Sequence, residues 1–132
     1  MKVLIVDDEP LVRKSLVRAF RAKGHDVSEA VDGTEGFRIW KEGLEAGTAP
    51  DLILVDVLMP GLSGPELLKE IRPYLTAAKP AWTGRVILMS AYSGEHNVTI
   101  AQELGADLFI PKPFDDVFVL VKTAEDLRDR KN

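Results

Sequence analysis

The feature that most constrains this chain is an alternation of two apolar rhythms. Val3-Leu4-Ile5-Val6, Leu52-Ile53-Leu54-Val55, Val86-Ile87-Leu88-Met89 and Leu108-Phe109-Ile110 are unbroken apolar runs rich in β-branched residues. Runs of that length read as strands covered on both faces, which means a parallel sheet. Val27 to Val31 mixes polar and apolar positions, as an edge strand can. The segments between the runs carry helical spacing instead. Leu11, Leu16, Ala19 and Phe20 are expected on one helical face, with Gly24 placed to end that helix. Phe37, Trp40 and Leu44 mark a second helix, opened by Asp32-Gly33. Pro65 suits the first turn of a third, carrying Leu67, Leu68 and Ile71, and Pro73 should stop or kink it. A fourth helix is expected near Glu95 to Leu104, closed by Gly105. A fifth starts near Asp115 as N-cap and buries Val117, Leu120, Val121, Ala124 and Leu127.

The order is therefore βαβαβαβαβα, without internal repeat, low-complexity tract or linker. A length of 132 residues allows one domain with a real core and is too short for two. Right-handed crossovers turn the alternation into an α/β fold, a doubly wound five-stranded parallel sheet with helices on both sides. Pattern alone leaves the strand order open; the flavodoxin-like (βα)5 order 2-1-3-4-5 is one common solution.

Composition narrows the function classes. No apolar run is long enough to cross a bilayer and no leader pattern is present, so no membrane role is expected. With no cysteine, disulfides and thiolate metal sites are excluded, which is compatible with a cytoplasmic location. The net charge is −4 and the 17 Lys and Arg residues are scattered, so no direct nucleic-acid binding is expected.

In open α/β sheets, ligands bind beyond the carboxyl ends of the strands. Asp7-Asp8-Glu9 follow the first apolar run and Asp56 ends the run from Leu52. Ser90-Ala91 close the run from Val86, and Pro111-Lys112-Pro113 the run from Leu108. If the first and third strands are neighbours, three carboxylates crowd one pocket, and Lys112 alone does not balance them. Charges about 4 Å apart repel by about 4 kcal/mol at an effective dielectric near 20. A hard divalent ion relieves that conflict, and Mg²⁺ is favoured because it is typically held by one or two carboxylates plus water or phosphate oxygens. The same set suits phosphoryl transfer, with Asp56 as nucleophile, Asp7 and Asp8 holding the ion, and Ser90 and Lys112 on the transferred group. Each residue taken alone has a plainer role: a turn aspartate, an acidic helix start at Asp8-Glu9-Pro10, a solvated loop lysine. Their conjunction at four strand ends carries the argument.

These residues resemble the receiver domain of bacterial two-component response regulators, over essentially the whole chain (1–132, one domain). The resemblance rests on Leu4-Ile5-Val6-Asp7-Asp8-Glu9, Asp56-Val57-Leu58-Met59-Pro60-Gly61-Leu62-Ser63-Gly64, Leu88-Met89-Ser90-Ala91-Tyr92, and Gly105-Ala106-Asp107 leading to Pro111-Lys112-Pro113-Phe114. It implies Asp56 as phosphoacceptor and a Mg²⁺ site (Mn²⁺ a substitute) made by Asp7, Asp8, Asp56 and the backbone carbonyl of Leu58. It further implies Ser90 as switch hydroxyl, Lys112 as phosphate-binding lysine and Phe109 as switch aromatic. The implied donor is a phosphohistidine on a histidine kinase or phosphotransfer protein. The readout surface is the fourth helix, fifth strand and fifth helix, acting on a downstream protein or a covalently linked output domain, as a monomer or a phosphorylation-dependent homodimer. Such a domain catalyses only its own phosphorylation and dephosphorylation, and the apolar Leu58 implies slow-to-moderate autodephosphorylation.

Two stretches, Glu42 to Pro50 and Pro73 to Gly84, look longer than the family's usual connections. Trp82 is expected to cover core. His25 and His96 are expected at the surface, and Phe118 and Val119 off the inward seam of the last helix. Three other readings compete. An aspartyl phosphatase needs an Asp-x-Asp pattern after the first strand, which Asp7-Asp8-Glu9 lacks. A flavodoxin needs a Ser/Thr/Gly-rich phosphate loop where this chain is acidic. A phosphorylation-independent module on the receiver fold typically lacks one or more of the acidic pair, Asp56, Ser90 and Lys112, all present here.

Overall fold

The apolar runs do become strands, and several helix ends fall where local chemistry supplies the unpaired backbone groups. The computed structural model describes residues 1–59, 61–74, 81–91, 99, 103, 105–114 and 116–129. Strands β1 (Lys2–Val6), β2 (Asp26–Ala30), β3 (Leu52–Asp56), β4 (Arg85–Ser90) and β5 (Leu108–Pro111) form one parallel sheet in the order β2-β1-β3-β4-β5. That is the 2-1-3-4-5 order, with the polar–apolar strand β2 at the edge. Helix α1 spans Pro10–Ala22, α2 Gly33–Ala46 and α3 Gly64–Ile71; a C-terminal helix spans Val117–Asp129.

Local stops and starts follow the residues. Asp32 caps α2, its carboxylate accepting from the Glu35 amide at 2.8 Å. Ser63 and Glu66 form a reciprocal capping box at α3, with Pro65 in its first turn. Pro73 lies in a 3₁₀ turn, Arg72–Tyr74, that finishes α3. Gly24, at φ +84°, takes the left-handed conformation that turns the chain from α1 into β2.

Two apolar layers sandwich the sheet. One joins Val3, Ile5, Leu54, Ile87 and Met89 to α1 and the C-terminal helix. The other joins Leu4, Val6, Ile53, Val55 and Leu88 to α2, α3 and Trp82. Alternate residues of one strand feed opposite layers, as the two-residue strand period requires.

Several expectations change. Leu11 is 87% exposed, while Leu16, Ala19 and Phe20 are buried. Five residues is about 500° of helix, so Leu11 sits about 140° away from Leu16. Most of Glu42 to Pro50 is the end of α2, which runs to Ala46 and closes at Gly47, so the connection itself is short. His25 is buried rather than superficial: Nε2 lies 2.8 Å from Glu125 Oε2 and Nδ1 3.1 Å from the N-terminal amine. Trp82 does cover core, and its indole N–H donates to the Pro50 carbonyl at 2.8 Å. Phe118 and Val119 are exposed, as expected. The helix expected near Glu95 to Leu104 (Thr99 and Glu103 apart, both helical), the cap at Asp115, and Pro60, Pro80, Tyr92, His96 and Arg130-Lys131-Asn132 lie outside the described residues. Among the described residues, no helix is long and apolar enough to cross a membrane.

Candidate functional site

Strand order decides which side chains meet. Because β1 pairs directly with β3 and Val6 sits opposite Val55, the next residues, Asp7 and Asp56, emerge side by side. Both continue the alternation of Ile5 and Leu54, so they leave the sheet toward the same layer. Asp8 follows on the loop, and carboxylate oxygens of Asp7, Asp8 and Asp56 all lie within 4.8 Å of one another. Asp7 and Asp56 are buried and Asp8 is exposed, which leaves the cluster one open side. A pocket of about 210 Å³ opens there, lined by Asp8, Glu9, Asp56, Leu58, Ser90 and Ala91.

The fifth strand brings the counter-charge. The Lys112 amide donates to the Ser90 carbonyl at 2.8 Å, which carries its side chain back across the sheet end. Its ammonium donates to Asp7 Oδ2 at 2.7 Å, Glu9 Oε1 at 2.9 Å and Asp56 Oδ2 at 3.0 Å. Burial opposes the charge on Lys112, but the bonds from Asp7, Glu9 and Asp56 outweigh it and hold the group well above the ordinary lysine range. Asp56 shifts the other way from most paired carboxylates. Burial raises its pKa most; Lys112 pulls it down, and the neighbouring Asp7 pushes it up again. One lysine is thus too little cation for the site.

The donor set fits a hard divalent ion. The candidate side-chain ligands are all carboxylate oxygens, and oxygens held at 2.0–2.1 Å by Mg²⁺ stand roughly 3–4 Å apart. A spread within 4.8 Å needs only small side-chain adjustments.

Comparisons with known proteins agree. The response regulator receiver domain model matches residues 3–124. The chain is 37% identical over 115 residues to the sensor kinase CckA of Brucella abortus, covering 85% of this chain and 11% of that protein. It is 31% identical over 126 residues to the transcriptional regulatory protein CseB of Streptomyces avermitilis, covering 96% of this chain and 48% of that one. Among solved structures, response regulator TrrA of Thermotoga maritima, in complex with Mg(2+)-BeF, superimposes with TM-score 0.77 at 28% identity, over 96% of this chain and 97% of that one.

The chain belongs to the response regulator receiver domain family. It spans about half or less of the length of these two curated relatives.

The other receiver positions group around the same end. Ser90 is 1% exposed at the end of β4. Phe109 on β5 sits opposite Leu88, two residues before Ser90 on the same strand face, and packs partly buried against the layer that contains Leu88. Leu58 is 57% exposed at the pocket edge. Gly64 lets α3 start against this loop: a Cβ there would meet the Asp56 carbonyl oxygen at 2.6 Å.

Two residues of the site were not singled out from sequence. Glu9 was read as part of a helix start, yet its side chain does not cap α1 and instead reaches Lys112. Arg13 is 7% exposed beneath the acidic loop. An arginine three positions past Pro10 on an amphipathic helix carries no sequence signal that separates it from a solvated one.

Proposed function

We propose that this receiver is a phosphorylation-activated switch of a two-component phosphorelay, with Asp56 as acceptor. What carries the reading is the convergence of Asp7, Asp8 and Asp56 within 4.8 Å, with Lys112 Nζ 3.0 Å from Asp56. A carboxylate oxygen of Asp56 forms the new P–O bond while the P–N bond of a donor phosphohistidine breaks. Asp7, Asp8, Asp56 and the Leu58 carbonyl would hold Mg²⁺, with Mn²⁺ as substitute, and the ion would supply charge neutralisation at the transferred phosphoryl group. Lys112 gives up part of its contact with Asp56 to bond the transferred group. The Ser90 hydroxyl donates to another phosphoryl oxygen, and Phe109 follows into the space Ser90 leaves.

Phosphorylation adds about −1.5 to −2 charge and three strong acceptors, the kind of local change that biases a two-state element. A nearly complete shift needs about 5.5 kcal/mol of preference for the active state, and the new Lys112 and Ser90 bonds are its sources. The changed surface is the one built on β5 and its flanking helices. It signals to a downstream protein or to a linked output domain, in the cytoplasm, as a monomer or a phosphorylation-dependent homodimer. The donor is a histidine kinase or phosphotransfer protein. The chemistry is limited to the domain's own phosphorylation and dephosphorylation.

Incubation with a small phosphodonor and Mg²⁺, followed by intact-mass measurement, tests this. One added phosphoryl group is expected, abolished by EDTA and by Asp56→Asn. A wild-type chain left unmodified by both a small donor and a phosphohistidine donor leaves the phosphorylation-independent module as the better account. Ser90→Ala is expected to accept phosphate but to transmit it poorly, seen as a loss of the phosphorylation-dependent amide shifts of β5.

A further inference from the structure

We propose that Arg13 is a positioning residue for the acidic pair, acting through the peptide that joins Asp7 to Asp8. The inference rests on the metal-binding reading above and adds a residue that reading does not use. Arg13 lies on the first turn of α1, yet its guanidinium is not solvated: the residue is 7% exposed. It folds back beneath the loop, and one terminal N–H donates to the main-chain carbonyl of Asp7 at 2.8 Å. Its Nε–H donates to Glu29 Oε1 at 2.9 Å, so the fork is aimed by a carboxylate on the edge strand.

Asp7 is held at nearly every polar atom. Its amide donates to the Ala30 carbonyl at 3.2 Å, its Oδ1 accepts from the Glu9 amide at 2.9 Å, and its Oδ2 accepts from Lys112. Asp8 differs. It is exposed, and among the described residues no hydrogen bond or ion pair reaches its carboxylate. Its direction therefore depends on the backbone that carries it, and the Asp7 carbonyl is one end of that peptide plane. Releasing this carbonyl lets the plane rotate and swings Asp8 away from Asp7 and Asp56. Among the three carboxylate ligands, Asp8 is thus the one without a described hydrogen bond of its own, and Arg13 fixes it through the backbone.

A guanidinium suits the task because two separate N–H groups in a rigid fork bridge two acceptors at once, the Asp7 carbonyl and Glu29. An ammonium offers a point charge without that geometry. Glu29 also accepts from Lys14 at 2.9 Å, and Lys14 first, then Arg13, holds its carboxyl below the ordinary glutamate range. Glu29 is therefore an anion that keeps the arginine oriented at neutral pH. The same pairing mutes the field of Arg13 at the acidic cluster, so geometry and not charge is its contribution.

The test is Mg²⁺ titration by isothermal calorimetry on the folded chain, with melting temperatures recorded separately in EDTA. Arg13→Ala and Arg13→Lys are both expected to weaken Mg²⁺ binding about tenfold, the scale seen when groups that orient metal ligands are removed. Lys14→Ala, which removes only the exposed partner of Glu29, is expected to leave the affinity unchanged. A residue that merely fastens α1 to the sheet would lower the melting temperature without changing the affinity of the folded protein. Wild-type affinity in either Arg13 variant therefore overturns the proposal. So does tighter binding in Arg13→Ala, the sign expected if the arginine acted through its positive charge. Arg13→Lys, which keeps charge and most of the volume, carries the test should Arg13→Ala not fold. Asp8→Asn is the reference: if it binds Mg²⁺ as well as wild type, or wild type binds none, the metal site itself fails and the proposal with it. Loss in Asp8→Asn beside no change at Arg13 rejects the positioning role alone.

Discussion

The two ends of the same parallel sheet are built on opposite terms. At the amino ends, backbone and side-chain groups pair locally: the Trp82 indole with the Pro50 carbonyl, the Val86 amide and Arg85 with Asp107, the Lys2 amide with Asp51; among the described residues the buried Trp40 indole N–H is the group left without a partner. Aromatic packing closes this side, with Trp40 edge-on to Trp82 at 5.6 Å and to Tyr74 at 5.3 Å between centroids. At the carboxyl ends, Asp7, Asp8 and Asp56 converge, and Lys112 is divided among Asp7, Asp56 and Glu9. Like charges 4.8 Å apart repel by about 3.5 kcal/mol at an effective dielectric of about 20, so this end is held in a state that a ligand improves. One end stabilises the fold. The other stores an unmet demand for positive charge.

The largest effect that could break this contrast is expected at Trp40, which is fully buried. Trp40→Ala should lose about 3–5 kcal/mol in urea unfolding, from lost burial and the cavity left behind. Phosphorylation by a small donor should continue at temperatures where the variant is folded. Lys112→Ala comes next. It leaves the buried carboxylates without their cation and should lose about 3 kcal/mol in EDTA. Saturating Mg²⁺ should recover much of that, seen as a larger metal-induced rise in melting temperature than in wild type. An identical rise in both would mean that the lysine and the ion do not share one charge deficit.

A smaller test returns to the amino end. Trp82→Phe removes the donor to Pro50 and part of the indole volume, and should cost about 2 kcal/mol by chemical unfolding, with or without Mg²⁺. The smallest effect has the opposite sign. Because the folded-state pKa of Asp56 is raised, the native chain binds its proton more tightly than the unfolded chain does. Stability attached to this group is present at low pH and is lost as pH rises from the ordinary aspartate value of about 3.9 through the raised one. Asp56→Asn removes the ionised form, so in EDTA at pH 7 it should melt above wild type. The gap should close near pH 4. A variant that melts below wild type at pH 7 would mean that the carboxylate end is not strained by its charges.

Much of this was legible in the sequence for a local reason. Strand and helix periods are written in neighbouring residues, so β1, β3, β4, α2 and α3 follow from apolar spacing, and Asp32, Pro65 and Gly24 from backbone chemistry. The residues that end each strand were readable in the same way, which is why Asp7, Asp8, Asp56, Ser90 and Lys112 stood out before any contact was known. Where spacing was stretched, it failed: Leu11 was counted with a face it does not share, because five residues do not complete a helical repeat.

Pairings across the chain were another matter. His25 meets Glu125, a hundred positions away, only because the C-terminal helix packs beside α1. Arg13 and Glu9 owe their partners to β2 and β5 standing on opposite sides of β1 and β4. The sequence by itself determined which chemical groups arrive at the carboxyl edge of the sheet. Only the tertiary structure decided that β1 lies against β3, bringing Asp7 beside Asp56, because alternating strands and helices are compatible with several strand orders and local spacing does not distinguish among them.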